Sequence, residues 1–269
     1  MKKSLVLLVP VLILIVAVHP AAAITWGELD TAHPNVGAMV VDWPDYGPFQ
    51  MCSGTLIHPR VFLTAAHCTH DLADYGIETV WVNFDPYAVN EDTLLLVEQV
   101  ITHPDFLWGT ADPHDIAALI LAEPVTDIAP APLPEEGFLN ELRSERQLRD
   151  SWVGAPITVV GYGGVLDWPP PDITYPDDMR RVAVSEYRSL TPVWLHMSQN
   201  LNNDDGGTCF GDSGGPAFMD DPRTPELEQI LVGITSWGDA QCVATSFDYR
   251  VDTAGSLAFI DGVIAGLDE

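Results

Sequence analysis

Lysine is nearly missing from this chain: its only two copies are Lys2 and Lys3. The rest of the 269 residues carry nine arginines against 39 aspartates and glutamates, and the formal net charge is −28. So acidic a surface excludes the long basic stripes that hold nucleic acid or an anionic membrane. It keeps a chain solvated. It also suits high salt, where screening relieves self-repulsion, or escape from lysine-directed proteolysis; composition does not choose among these. Cysteine is scarce as well, with four copies, and no Cys/His cluster has zinc spacing, so neither a metal nor a cofactor is expected. The polar run Asn202, Asn203, Asp204 and Asp205 offers oxygen ligands but reads first as a solvated turn. Long apolar runs are absent after the N-terminus, which leaves no later segment able to span a bilayer.

What is present at the start is a leader pattern. Met1-Lys2-Lys3-Ser4 is basic, Leu5 to Val18 is apolar, and Ala21-Ala22-Ala23 is a run of small residues. Residues 1–23 therefore read as a secretory signal peptide, with a membrane anchor as the alternative; a signal implies a chain that is secreted, extracellular or periplasmic, and free of membrane once cut. In an exported chain an even count of cysteines points to disulfides, and four cysteines permit three pairings. Beyond the leader, short β-rich runs recur between Pro, Gly and Asp. They include Gly37–Val41, Gly54–Ile57, Val61–Thr64, Thr79–Asn83, Leu94–Ile101 and Ile116–Leu121, then Ile157–Gly161, Arg181–Tyr187, Pro216–Met219 and Ile230–Ser236. That spacing predicts an all-β sandwich or barrel. Phe138–Leu148 and Thr253–Leu267 fit helices, Asp167–Asp178 is a proline-rich acidic loop, and no internal repeat is visible.

Chemistry concentrates in three stretches. Cys209-Phe-Gly-Asp-Ser213-Gly-Gly-Pro216 sets a serine among glycines, which open backbone turns closed to other residues. Such a turn can expose a hydroxyl and aim N–H groups at one point, as a nucleophile with an oxyanion hole requires. Residues 52–68 end in Ala-Ala-His67-Cys68, and His114-Asp115 opens an apolar run. In the order His67, Asp115, Ser213, these motifs resemble the chymotrypsin/trypsin-like serine endopeptidases.

The resemblance implies two six-stranded antiparallel β-barrels, at about 24–134 and 152–252, with the active site between them and a C-terminal α-helix at about 253–267. It implies a single protease domain over 24–269, the disulfides Cys52–Cys68 and Cys209–Cys242, and a monomer acting on protein or peptide substrates. Ser213 would be the nucleophile, His67 its base and Asp115 the orienting carboxylate, with Gly211 and Ser213 lending oxyanion N–H groups. Ser236, Trp237 and Gly238 would pair with substrate backbone. Asp212 would pair with a new ammonium at Ile24, exposed by signal cleavage, although Thr25 and Trp26 depart from the family's usual start. Gly207 at the pocket base suggests apolar or aromatic specificity. Asp248 on the pocket wall keeps a basic preference open as an alternative, and a catalytically silent binding module is the other.

Overall fold

A computed structural model describes residues 24–150, 153–167, 172–174, 178–224 and 229–268. The leader at 1–23 and parts of the Asp167–Asp178 loop lie outside them. Six strands close the first barrel: β1 (Val36–Trp43), β2 (Gly47–His58), β3 (Val61–Thr64), β4 (Val80–Asn83), β5 (Leu95–Thr102) and β6 (Ala117–Leu121). Six more close the second: β7 (Pro156–Gly161), β8 (Arg181–Leu190), β9 (Trp194–Ser198), β10 (Pro216–Met219), β11 (Ile230–Gly238) and β12 (Thr245–Arg250).

The barrels share one wiring. In the first, β1 pairs with β2 and β4, β3 with β2 and β6, and β5 with β4 and β6. Shifted by six strands, the second makes the same pairings, all antiparallel. This repeat is one of strand pairing order, which is why sequence comparison of the two halves misses it. Closure covers most strand edges, but the start of β8, ahead of its pairing with β9, keeps one open.

The apolar residues sort accordingly. One core fills the first barrel with Met39, Leu56, Phe62 and Leu119, and runs across the seam to Phe218, Ile234 and Tyr249. A second core fills the other barrel with Ile157, Val159, Leu195 and Val232, and takes in Phe138, Leu139 and Leu142 of helix α1 (Phe138–Ser144). Helix α1 stops short of the expected Leu148 because Arg146 turns left-handed at φ +62°. Helix α2 (Ala254–Ala265) is capped by Thr253, whose hydroxyl accepts the Ser256 N–H at 3.1 Å. Its Ile260 and Val263 join the core that spans both barrels, and Phe259 meets the His103 ring, so this helix seals the seam rather than covering the second barrel alone.

The N-terminal segment departs from the expected first-barrel span of 24–134. Ile24 is fully buried in the second barrel's core, Thr25 bridges to Gly207, and Glu28–Leu29 adds an edge strand to β8. An apolar side chain beside an open strand edge settles there before the chain crosses to β1. Asp30 anchors that crossing through Arg180 at 2.8 Å and His33 at 2.7 Å. Both expected disulfides form, and no described cysteine is free.

Gly54 offers a test of how tightly β2 and β3 approach. A Cβ there would stand 2.4 Å from the Leu63 carbonyl oxygen and from the Phe62 ring. Gly54→Ala should therefore destabilise by about 1–3 kcal/mol. Chemical denaturation of the two forms reads this, and equal midpoints would count against the packing described.

Candidate active site

Between the barrels lies a cleft of about 340 Å³, lined by His67, Ser213, Thr208, Thr235, Ser236 and Trp237, among others. Each side chain arrives by a distinct local device. His67 rides a single 3₁₀ turn, Ala66–Cys68, just past β3, and the Cys52–Cys68 bridge ties that turn to β2. Asp115 is fully buried and follows His114, which sits left-handed at φ +54°. Its Oδ1 accepts the His67 backbone N–H at 2.9 Å, and its Oδ2 faces His67 Nδ1 at 2.9 Å. The Ser236 hydroxyl donates to Oδ2 at 2.5 Å. Burial alone would raise the Asp115 pKa, but the bonds and charge from His67, with Ser236, outweigh it and hold the carboxyl below its usual range.

Ser213 stands on the turn before β10. Its carbonyl accepts the Ser53 N–H at 2.8 Å. The next two residues fasten the turn to β11 through Gly214 N–H to Thr235 O and Thr235 N–H to Gly215 O, each 2.8 Å. Gly214 is at φ +83°, and a Cβ there would lie 2.0 Å from the Thr64 hydroxyl. Only glycine fits that place. No hydrogen bond joins Ser213 to His67, although both line the one cleft.

The peptide before Asp212 is held from outside the cleft. The Phe210 carbonyl accepts from Gly164 N–H at 2.7 Å, and the Gly211 carbonyl accepts from Gln50 Nε2 at 2.9 Å and Ser53 Oγ at 3.0 Å. Those anchors turn the Gly211 N–H away from Gly164. Neither that N–H nor the one of Ser213 has an acceptor among the described residues.

Two buried carboxyls flank this machinery. Asp212 accepts from Gly163 N–H at 2.7 Å and Cys209 N–H at 2.8 Å, with no cation beside it among the described residues, and burial pushes its pKa up to about 7 despite those bonds. Asp248 is likewise pushed up to about 7 by burial, against hydroxyl bonds from Ser246 at 3.0 Å and Thr235 at 3.4 Å. Asp248 lies on the inner face of the second barrel beside Gly233 and does not line the cleft. Gly207 does not line it either: its N–H bonds Thr25, and the Gln199 side chain lies against it. Gly238 and the exposed Trp237 do line it.

Sequence reasoning passed over several neighbours. Trp108 places its ring 5.7 Å from His67, and Phe106 packs on Trp108 at the same separation. Phe210, Thr208 and Asp239 also line the cleft. The pairing of Phe106 and Trp108 in the loop ahead of His114 was the available signal for the first. The anchoring roles of Gln50 and Ser53 have no local signature, since they act across more than 150 residues of chain.

Comparison with known proteins agrees in one direction. A family model described as Trypsin matches residues 30–256. A tryptase of Mus musculus is 30% identical over 263 residues, covering 89% of each chain. Kallikrein-1 of Mus musculus is 28% identical over 71% of each chain. Venom serine protease 34 of Apis mellifera is 30% identical over 73% of this chain and 48% of that one. The solved structure of HL collagenase superimposes with a TM-score of 0.65 at 19% identity, over 92% of this chain and 99% of that one, a likeness of fold.

The buried acids make stability depend on pH with a fixed sign. A carboxyl whose folded pKa is raised from 3.8 to about 7 binds its proton in the folded chain while the unfolded chain has lost it. Stability therefore falls as pH rises from about 4 to 7 and levels off above. Asp248→Asn should flatten that fall, with roughly 4 kcal/mol as the upper bound. Melting temperatures of both forms across the window check it, and parallel curves would refute it.

Proposed function

The chain belongs to the trypsin family and is a serine endopeptidase, and we propose that Ser213, His67 and Asp115 carry its reaction. One observation carries this reading: His67, bonded to the buried Asp115 at 2.9 Å, lines one cleft with Ser213, whose N–H, like that of nearby Gly211, has no acceptor among the described residues. Ser213 Oγ attacks the scissile carbonyl carbon while His67 Nε2 takes its proton. Asp115 keeps the other ring nitrogen protonated and steadies the imidazolium. The carbonyl oxygen becomes an oxyanion between the N–H groups of Gly211 and Ser213. Collapse breaks the C–N bond, and His67 returns its proton to the departing amine. Water then repeats the sequence on the acyl-enzyme and releases the acid.

Substrate backbone runs along Ser236–Gly238 as an added strand. The side chain before the scissile bond enters between Trp237, Phe210 and the Cys209–Cys242 bridge, a setting that suits apolar or aromatic groups. Asp239 also lines the cleft, but its carboxylate is engaged by the backbone N–H groups of Gln241, Val243, Ala244 and Thr245. Cleavage after Ala23 frees an ammonium at Ile24, next to the bridge from Thr25 to Gly207, and this becomes the cation for Asp212. The mature domain of 24–269 then acts outside the cell, as a monomer, on proteins or peptides. No described helix is long and apolar enough to cross a membrane.

Two expected outcomes test the reading. Ser213→Ala should lose about a millionfold in kcat on a peptide library while keeping its melting temperature. Retained turnover would move the chemistry to another nucleophile, and the residues before each cut made by the parent report the specificity. A chain carrying one extra residue ahead of Ile24 should lose about a hundredfold in kcat, as when one oxyanion donor is lost. Equal rates would detach Ile24 from Asp212.

A further inference from the structure

The arginines of this acidic chain are unevenly spent. Arg60, Arg180, Arg188, Arg223 and Arg250 each hold a carboxylate at 2.6 to 3.2 Å. Arg143, Arg146 and Arg149 have none within ion-pair distance among the described residues, although acidic side chains outnumber arginines 39 to nine. All three, with Arg188, line one open cavity of about 480 Å³ between the end of α1 and the end of β8. Its floor is apolar, made by the buried Leu148, Tyr187 and Leu190. None of these residues lines the catalytic cleft.

Neutral oxygens rather than acids hold the Arg143 and Arg149 guanidinium groups in place, the Asn140 amide oxygen among them at 3.2 Å. Arg143 donates to the Leu190 carbonyl at 3.0 Å, and Arg149 donates to the Arg188 carbonyl at 2.7 Å while lying 6.0 Å over the Tyr187 ring. Arg146 sits at φ +62° on an exposed turn, its N–H bonded to the Arg143 carbonyl, and its side chain makes no hydrogen bond or ion pair among the described residues. Fixed guanidinium forks with free donors are suited to carboxylates. An apolar floor beneath them suits a side chain that a polysaccharide lacks.

We propose that this cavity is a docking site for a short acidic segment of a protein partner, anchored by one apolar or aromatic side chain and flanked by carboxylates. Length matters here. Screening confines the arginines' field to about 8–10 Å, so a compact acidic segment meets only the basic island. A long polyanion would run on into a surface whose formal net charge is −28.

The probe is an acetylated, amidated dodecapeptide of glutamates around a central phenylalanine, titrated calorimetrically into the Ser213→Ala chain so that it is not cut. Binding should weaken steeply between ~0.05 and ~0.5 M salt. Arg146→Glu alters an exposed side chain with no hydrogen bond or ion pair among the described residues, so the fold and the turnover of small substrates should stay unchanged while affinity drops about tenfold. The triple variant Arg143→Ala, Arg146→Ala, Arg149→Ala should not bind. The proposal is overturned by an absence of binding, by equal affinity in Arg146→Glu, by equal uptake of the glutamine version of the peptide, or by tighter binding of a sulfated decasaccharide. None of these readouts depends on turnover, so they stand apart from the catalytic reading.

Discussion

Ser53 is the point on which the two halves of this molecule are joined for chemistry. It belongs to β2 of the first barrel, yet its N–H holds the Ser213 carbonyl and its hydroxyl holds the Gly211 carbonyl. The same hydroxyl accepts the Tyr162 N–H beyond β7. A cleft between two separate barrels is only as well defined as their mutual placement. Here Ser53, with Gln50 on the same strand, ties the Ser213 turn to the barrel that carries His67 and Asp115. The continuous apolar core across the seam, closed by α2, makes that tie hold. Misplacement by about 1 Å at such a site can cost two orders of magnitude in rate.

Around that joint the protein spends its buried polar groups on fixing backbone. Asp115, Asp212 and Asp239 each take two or more backbone or hydroxyl donors, and each shapes a loop bordering the cleft. Buried Arg250 does the same beside α2, clasping Asp252 at 2.8 Å and the Thr191 carbonyl at 2.7 Å. Charges of this kind contribute less to net stability than their geometry suggests, because desolvation offsets most of the attraction. Their return is a defined arrangement of loops.

Much of this was legible from residues alone, and the gaps have physical causes. Val61–Thr64 and Pro216–Met219 read as strands because apolar, β-favouring side chains fill them end to end. Strands β9 and β12 were both missed, and β12 hides its pattern because its inward positions Ser246, Asp248 and Arg250 are polar or charged. The long β2 was read only near its end, because Gly47, Pro48 and Gly54 look like breakers; in a barrel they serve bends and close approach. The three motif residues of the cleft were legible because each sits within a distinctive local run. Trp108, Gln50 and Ser53 were not, because only folding brings them to the site.

The scarcity of lysine acquires a meaning beside the buried carboxyl of Asp212. That carboxyl sits in a socket with the N–H groups of Gly163 and Cys209, and residues 24–269 contain no ammonium side chain to enter it. A chain cut ahead of Ile24 would thus possess a single primary amine, its own first nitrogen. Acylating or reductively methylating reagents, which elsewhere scatter over many lysines, would find one address, and that address is shielded whenever the socket is filled. The molecule would then carry its own chemical reporter of maturation, in which reactivity toward amine reagents counts the chains whose first residue has not yet docked.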